Sequence, residues 1–258
     1  MNDLEIEIEN EKQIEAELGI DEKNINEIFK CIVKGSIEDV RAKRNLFPSP
    51  TYNARYNDIW DSINAKCATS FNEGYTVTMH KRGIYEFITI LNMLSSCLYI
   101  LMKDNNFNKI ISGGSVGVTH YMKCLTLIND DLGAYPQVYG QLSLDIPQCN
   151  EIKDKKETIK NAIIQKINSS INRFVVITFE PDANIGVKSI FVNVVASDTS
   201  TKYRKDWTSS IRSIEVPEYD DSTYDKRNLD TDVDNVSTFD APSKVKIKTK
   251  IHHAGAKK

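Results

Sequence analysis

At 258 residues, with 40% hydrophobic and 27% charged side chains, the chain can bury a full core and is neither a fibre nor disordered throughout. Its net charge of -3 hides a segregation: residues 1–27 carry ten acidic and two basic side chains, residues 215–240 nine against two, and residues 241–258 six lysines with no acid. Acidic surfaces repel phosphate backbones, so general coating of nucleic acid is excluded for most of the chain, with the basic tail as the exception.

The N-terminal sequence MNDLEIEIENEKQ lacks the positive start and apolar run of a signal peptide, so a cytoplasmic protein is expected. IDEKNINEIFKCIV puts Ile25, Ile28, Phe29, Ile32 and Val33 on one helical face, and Gly35 is expected to stop that helix. Ser36-Ile37-Glu38-Asp39 then resembles a helix-start box. Pro48 and Pro50 suggest a boundary between an acidic helical N-terminal arm, residues 1–47, and a main α+β domain, residues 51–214.

Within that domain, residues 53–67 carry Tyr56, Ile59, Trp60 and Ile63 at helical spacing, and residues 75–79 alternate like a short strand. Gly83 marks a turn. The apolar segment IYEFITILNMLSSCLYILM, residues 84–102, has membrane-spanning length, but Glu86, Thr89, Asn92, Ser95 and Ser96 interrupt it. The expectation is a buried core helix and no membrane contact. A glycine cluster then leads into a helix near residues 118–129, and Ile159, Ile163, Ile167 and Ile171 recur every fourth residue in a further amphipathic helix. Residues 173–179 and 187–196 are rich in β-branched side chains and flank Pro181, Asp182, Asn184 and Gly186, a hairpin signal. A weak helix or strand follows Asp206-Trp207-Thr208.

Residues 215–258 form an acidic linker and a basic tail, expected to be flexible because they offer no core to repay ordering. Val245-Lys246-Ile247-Lys248-Thr249-Lys250-Ile251 alternates like a strand that could pair with this sheet or with a partner. The fold class expected is therefore α+β, a helical N-terminal half packed with a small antiparallel sheet, followed by that tail.

Four constellations bear on chemistry. The five cysteines are widely spaced without a Cys-x-x-Cys pair, so reduced buried thiols and no metal site are expected. ITFEPDANIGVKSIFVN, residues 177–193, resembles a metal-nuclease ribbon, yet Gly186 stands where a carboxylate is needed, two before Lys188, and a plain turn explains each residue. GGSVGVTHY, residues 113–121, lacks both the P-loop ending and the dinucleotide glycine spacing, and it reads as a loop before a helix cap. His80-Lys81-Arg82-Gly83 is more informative, since with His120-Tyr121 and Arg55 it could assemble a cationic pocket holding a titratable imidazole.

KRGIYEF, LYILMKDNNFNKI and THYMKCLTLINDDL, in that order, resemble an uncharacterised family of bacterial domains of unknown function, common in Gram-positive genomes and mobile elements. The matching positions are Lys81, Arg82, Gly83, Tyr85, Leu98, Tyr99, Met102, Lys103, Phe107, His120, Tyr121, Leu125, Asn129 and Leu132. The sequence departs from that pattern at Tyr85 and at Lys103-Asp104. The resemblance implies no reaction and no cofactor.

The leading expectation is a binding or regulatory protein of a mobile element or phage, acting through a macromolecular partner. A protein partner is favoured, with nucleic acid as the alternative through Lys246, Lys248 and Lys250 of the tail or through the Arg82–His120 region. The second expectation is a metal-independent ribonuclease or toxin in which His120 is the acid or base and Arg82 and Lys81 stabilise phosphate charge, with His80, Tyr121 and Arg55 contributing to binding. The third is a virion structural subunit.

Overall fold

In a computed structural model, residues 22–47, 55–71, 73–83, 85–113, 117, 119–132, 147–182 and 186–211 are described. The strand expected at residues 245–251, with Lys246, Lys248 and Lys250, and the side chain of Arg55 lie outside them. The first described elements are helix α1, Glu22–Leu46, and helix α2, Arg55–Ser70. The apolar face of α1 is the expected one: Ile28, Phe29, Ile32 and Val33 are buried, and Trp60, Ile63 and Cys67 of α2 share their cluster.

Gly35 does not end α1, and Ser36 does not start a second helix. A Cβ on Gly35 would lie 2.8 Å from the Ile63 Cα and N. The glycine is therefore there to let α1 and α2 cross closely. The Ser36 hydroxyl bonds back to the Ile32 and Val33 carbonyls, which satisfies it inside a continuous helix and leaves it unavailable as a cap.

Strands β1, Tyr75–Arg82, and β2, Tyr85–Asn92, form an antiparallel hairpin turning at Gly83, whose φ of +63° a side chain would strain. The helix expected over residues 84–102 is absent from residues 85–102, which form strands and a turn. After β2 the chain turns and returns as β3, Cys97–Lys103. The Asn92 Oδ1 accepts from the Leu94 and Ser95 amides at 2.9 and 3.3 Å, and Ser96 takes a positive φ of 54°. These strands read as a helix because helices cover both faces of the sheet here, which removes the alternation expected of a half-exposed strand. Every residue from Cys97 to Met102 is buried.

A crossover made of helix α3, Asp104–Ile111, helix α4, Tyr121–Leu125, the 3-10 helix Thr126–Leu132 and helix α5, Pro147–Ile167, leads to β4, Arg173–Asp182, parallel to β3. Strands β5, Gly186–Val195, and β6, Thr201–Asp206, complete a second antiparallel meander, and the short helix α6, Thr208–Ile211, follows. The class is α+β, and the sheet is larger than expected and mixed. Its six strands lie in sequence order, and β3–β4 is the parallel pair.

Strand β6 left little signal in the sequence TKYRKD, because Tyr203 is its one buried residue. Two apolar clusters sandwich the sheet. Helices α1 and α2 close one face, where Trp60 meets the Phe179 ring edge-on at 5.7 Å and Phe29 meets Trp207 at 6.1 Å. Residues of α3, α4 and α5 close the other, with Phe107, Leu125, Ile163 and Ile167 over Leu98, Phe174 and Val176. Among the described residues no helix is long and apolar enough to cross a membrane.

Candidate functional site

Antiparallel pairing sets His80 opposite Phe87 and Arg82 opposite Tyr85, and alternation along each strand sends these four side chains to the α4 face. Helix α4 supplies His120 and Tyr121 on the same face. The rings form a connected stack: His80 on Phe87 at 5.1 Å, Phe87 on Tyr121 at 4.1 Å, Tyr121 on Tyr85 at 6.3 Å, and His120 tilted over Tyr121 at 4.5 Å. Phe87 and Tyr121 are buried, whereas Tyr85 is 38% exposed and forms the outer end of the stack.

Both imidazoles have structural duties. The His80 Nε2 lies 2.9 Å from the Thr89 Oγ1, and both groups are buried. The His120 Nδ1 accepts from the Met122 amide at 3.2 Å, so His120 is the N-cap of α4 and its neutral ring carries the proton on Nε2. Burial, aided by the Lys166 charge, lowers His80 to about 4. Burial together with Arg82 and Lys123 lowers His120 to about 4. The two rings are separated by Phe87 and Tyr121 and do not form a catalytic pair.

The surrounding field is positive although the chain is acidic overall. Arg82 and Lys123 act on His120, Arg82 and Lys156 on Cys124, and Lys166 on His80. Lys123 is 8% exposed and forms no ion pair among the described residues. Cationic groups within reach of His120, at an edge where Tyr85 is exposed, favour an anionic ligand that can also stack.

Sequence reasoning named His80, Arg82, His120 and Tyr121, and these come together. Lys81 does not join them. It lies one residue out of phase on β1, on the opposite face, and pairs with Glu86 at 3.1 Å. Tyr85, Phe87 and Lys123 were not named as site residues. The β1–β2 hairpin register would have found the first two, because residues 80, 82, 85 and 87 share a face once Gly83 is the turn.

The ribbon at residues 177–193 is the β4–β5 hairpin, with Asp182 opposite Gly186 and Glu180 paired to Lys188 at 2.9 Å. Among the described residues no group of three or more His, Cys, Asp or Glu side chains is placed to hold a metal ion. The glycine cluster delivers a turn, with the His120 amide on the Gly117 carbonyl at 3.0 Å, and residues 114–116 and 118 lie outside the described set.

A second polar group sits at the far end of the same sheet face. The Asp104 Oδ1 accepts from the Thr178 hydroxyl at 2.9 Å and from Arg204 at 3.1 Å. Arg204 also donates to the Asn193 Oδ1 at 3.2 Å and lies 4.1 Å over the Phe191 ring. These groups are mutually satisfied, which marks them as a clamp joining β4, β5, β6 and α3.

Fold and site together define a three-layer α+β domain with a cationic, aromatic-lined edge. The chain belongs to the family of unknown function DUF5986, whose model matches residues 17–257. No curated protein and no solved structure matches it.

Proposed function

We propose that this protein is a binding protein that engages a single-stranded nucleic acid at the β1–β2 edge, with Arg82, Lys123 and His120 facing phosphate and Tyr85 offering a stacking platform. The observation that carries the reading is that Arg82 and Lys123 lie within electrostatic reach of His120, and Lys166 of His80, at a ring stack whose outer member, Tyr85, is exposed. Positive grooves lined by stacking rings bind single strands with little sequence preference, each stacked base contributing roughly 1–3 kcal/mol. Regulation within a mobile element or phage through a macromolecular partner would run through this edge.

The ribonuclease reading is weaker on physical grounds. An imidazole lowered to about 4 is neutral at pH 7, so His120 could not donate a proton to a leaving group. The other imidazole, His80, is held away from it by Phe87 and Tyr121.

Fluorescence anisotropy with labelled RNA and DNA single strands tests the proposal, and a denaturing gel of the same mixtures reports cleavage. Saturable binding that weakens with salt and is lost in an Arg82→Ala, Tyr85→Ala double variant, with intact strands, supports it. Binding unaffected by that variant, or an absence of binding at low salt, overturns it, and cleavage abolished by His120→Ala would transfer support to the ribonuclease.

A further inference from the structure

We infer that Cys31 and Cys67 form a peroxide-reactive thiol pair that closes to a disulfide across the α1–α2 crossing. The geometry begins at Gly35, where the missing side chain brings α1 onto the Ile63 backbone, with an added Cβ only 2.8 Å from the Ile63 Cα. Cys31 lies four residues before Gly35 and Cys67 four residues after Ile63. On antiparallel helices of 3.6 residues per turn, both therefore stand one turn from the closest approach, on facing sides. The two thiols lie close enough for each to perturb the other's titration. Cys97 and Cys124 instead donate to the Ser95 and Thr119 carbonyls at 3.7 and 3.6 Å.

The pair is asymmetric. A cavity of about 260 Å³ has Cys31, Glu27, Lys30, Lys34, Lys66 and Ser70 among its walls, and Cys67 is not one of them. A small oxidant entering there meets Cys31 first. The contact with Cys67 holds the Cys31 thiol below its usual range, helped by Ser70 and the Lys66 charge against burial and the Glu27 charge. The same contact, with burial, pushes Cys67 well up. A thiolate-leaning cysteine beside a resolving thiol is the arrangement that converts a peroxide encounter into a disulfide.

The chemistry balances with a hydroperoxide as oxidant. The Cys31 Sγ thiolate attacks one peroxide oxygen, the O–O bond breaks, and its electron pair leaves on the other oxygen, which takes up a proton to become water or an alcohol. Cys31 is now a sulfenic acid. The Cys67 Sγ then attacks the Cys31 sulfur, the S–O bond breaks, and the departing hydroxyl takes the Cys67 proton and leaves as water. Two thiols are oxidised by two electrons and one peroxide is reduced by two.

The full chain in a Cys149→Ser background, reduced and then titrated with hydrogen peroxide, tests this by alkylation and peptide mass mapping. The expected product has lost two hydrogens, yields a linked Cys31–Cys67 peptide, reverts with dithiothreitol, and forms at peroxide levels that leave Cys97 and Cys124 free. Adding Cys67→Ser should arrest Cys31 as a sulfenic acid trapped by dimedone. Peroxide that modifies Cys97 or Cys124 as fast as Cys31, or that leaves Cys31 and Cys67 unlinked in the wild-type pair, overturns the inference whether or not the serine variant folds.

Discussion

The two faces of the sheet are built from the same kinds of strands but are finished differently. Against α1 and α2 the sheet presents an apolar surface of Ile88, Ile90, Val175, Ile177, Phe179, Ile190 and Val192. The opposite face embeds polar groups among its apolar ones, including His80, Thr89, Lys123, Asn129, Thr178 and Asn193, all buried. Apolar packing suffices to hold a sheet and two helices together, so one face is stabilised by area. The other needs its polar groups satisfied, which restricts its geometry, and the buried Lys123 there has no ion pair among the described residues. The ring stack of His80, Phe87 and Tyr121 belongs to the second face, and the α1–α2 crossing to the first.

Emptying the scaffold should have the largest effect. Trp60→Ala removes a ring 8% exposed and packed on Phe179, and urea unfolding should show a loss of about 3–5 kcal/mol; a loss below about 1 kcal/mol would show that this face does not depend on it. On the polar face, Asn129 donates to the Phe174 and Val195 carbonyls at 2.8 and 2.9 Å and accepts from the Phe174 amide at 2.8 Å. Asn129→Ala strands three backbone groups and should cost roughly 2–4 kcal/mol in the same assay. A cost like that of an exposed asparagine would mean these bonds are replaced by water.

Gly35→Ala carries a sign test. Alanine in a helix interior usually gains up to about 1 kcal/mol over glycine, but here the added methyl meets the Ile63 backbone and should cost about 1–3 kcal/mol. A stabilised variant would contradict the close crossing.

The polar face should also respond to acid. His80 and His120 fold with values near 4, below the ordinary 6.5. The unfolded chain therefore takes up protons first as pH falls below 6.5. Stability from these two groups is complete above 6.5 and is lost progressively towards 4. The urea midpoint should fall across that window and fall less in His120→Asn, which keeps a capping side chain. Smallest of all, Arg82→Ala alone, at an exposed position, should change stability by under about 0.5 kcal/mol, so that any loss of binding in that variant is read as a loss at the surface.

Much of the scaffold was legible because its periodicity is clean. The α1 face, the Trp60 helix, the isoleucine repeat of α5 and the β4–β5 hairpin all carry a single pattern. Strands β2 and β3 failed because burial on both faces erases alternation, and β6 because an edge strand with one wet face shows too few apolar residues. Gly35 misled because a helix-breaking residue and a close-packing residue look alike without the partner helix. At the site, His80, Arg82, His120 and Tyr121 were nameable from their scarcity and charge. Lys123 was not, since a lysine in a polar segment gives no sign that tertiary packing will bury it.

The most direct test of the account is an amide chemical-shift titration of the labelled protein with a short single-stranded oligonucleotide at low salt. Binding at the β1–β2 edge concentrates the shifts in residues 78–89 and 119–125 and leaves residues 28–35 and 59–67 of the opposite face unmoved. Shifts confined to the scaffold helices, or none anywhere at saturating oligonucleotide, would contradict it.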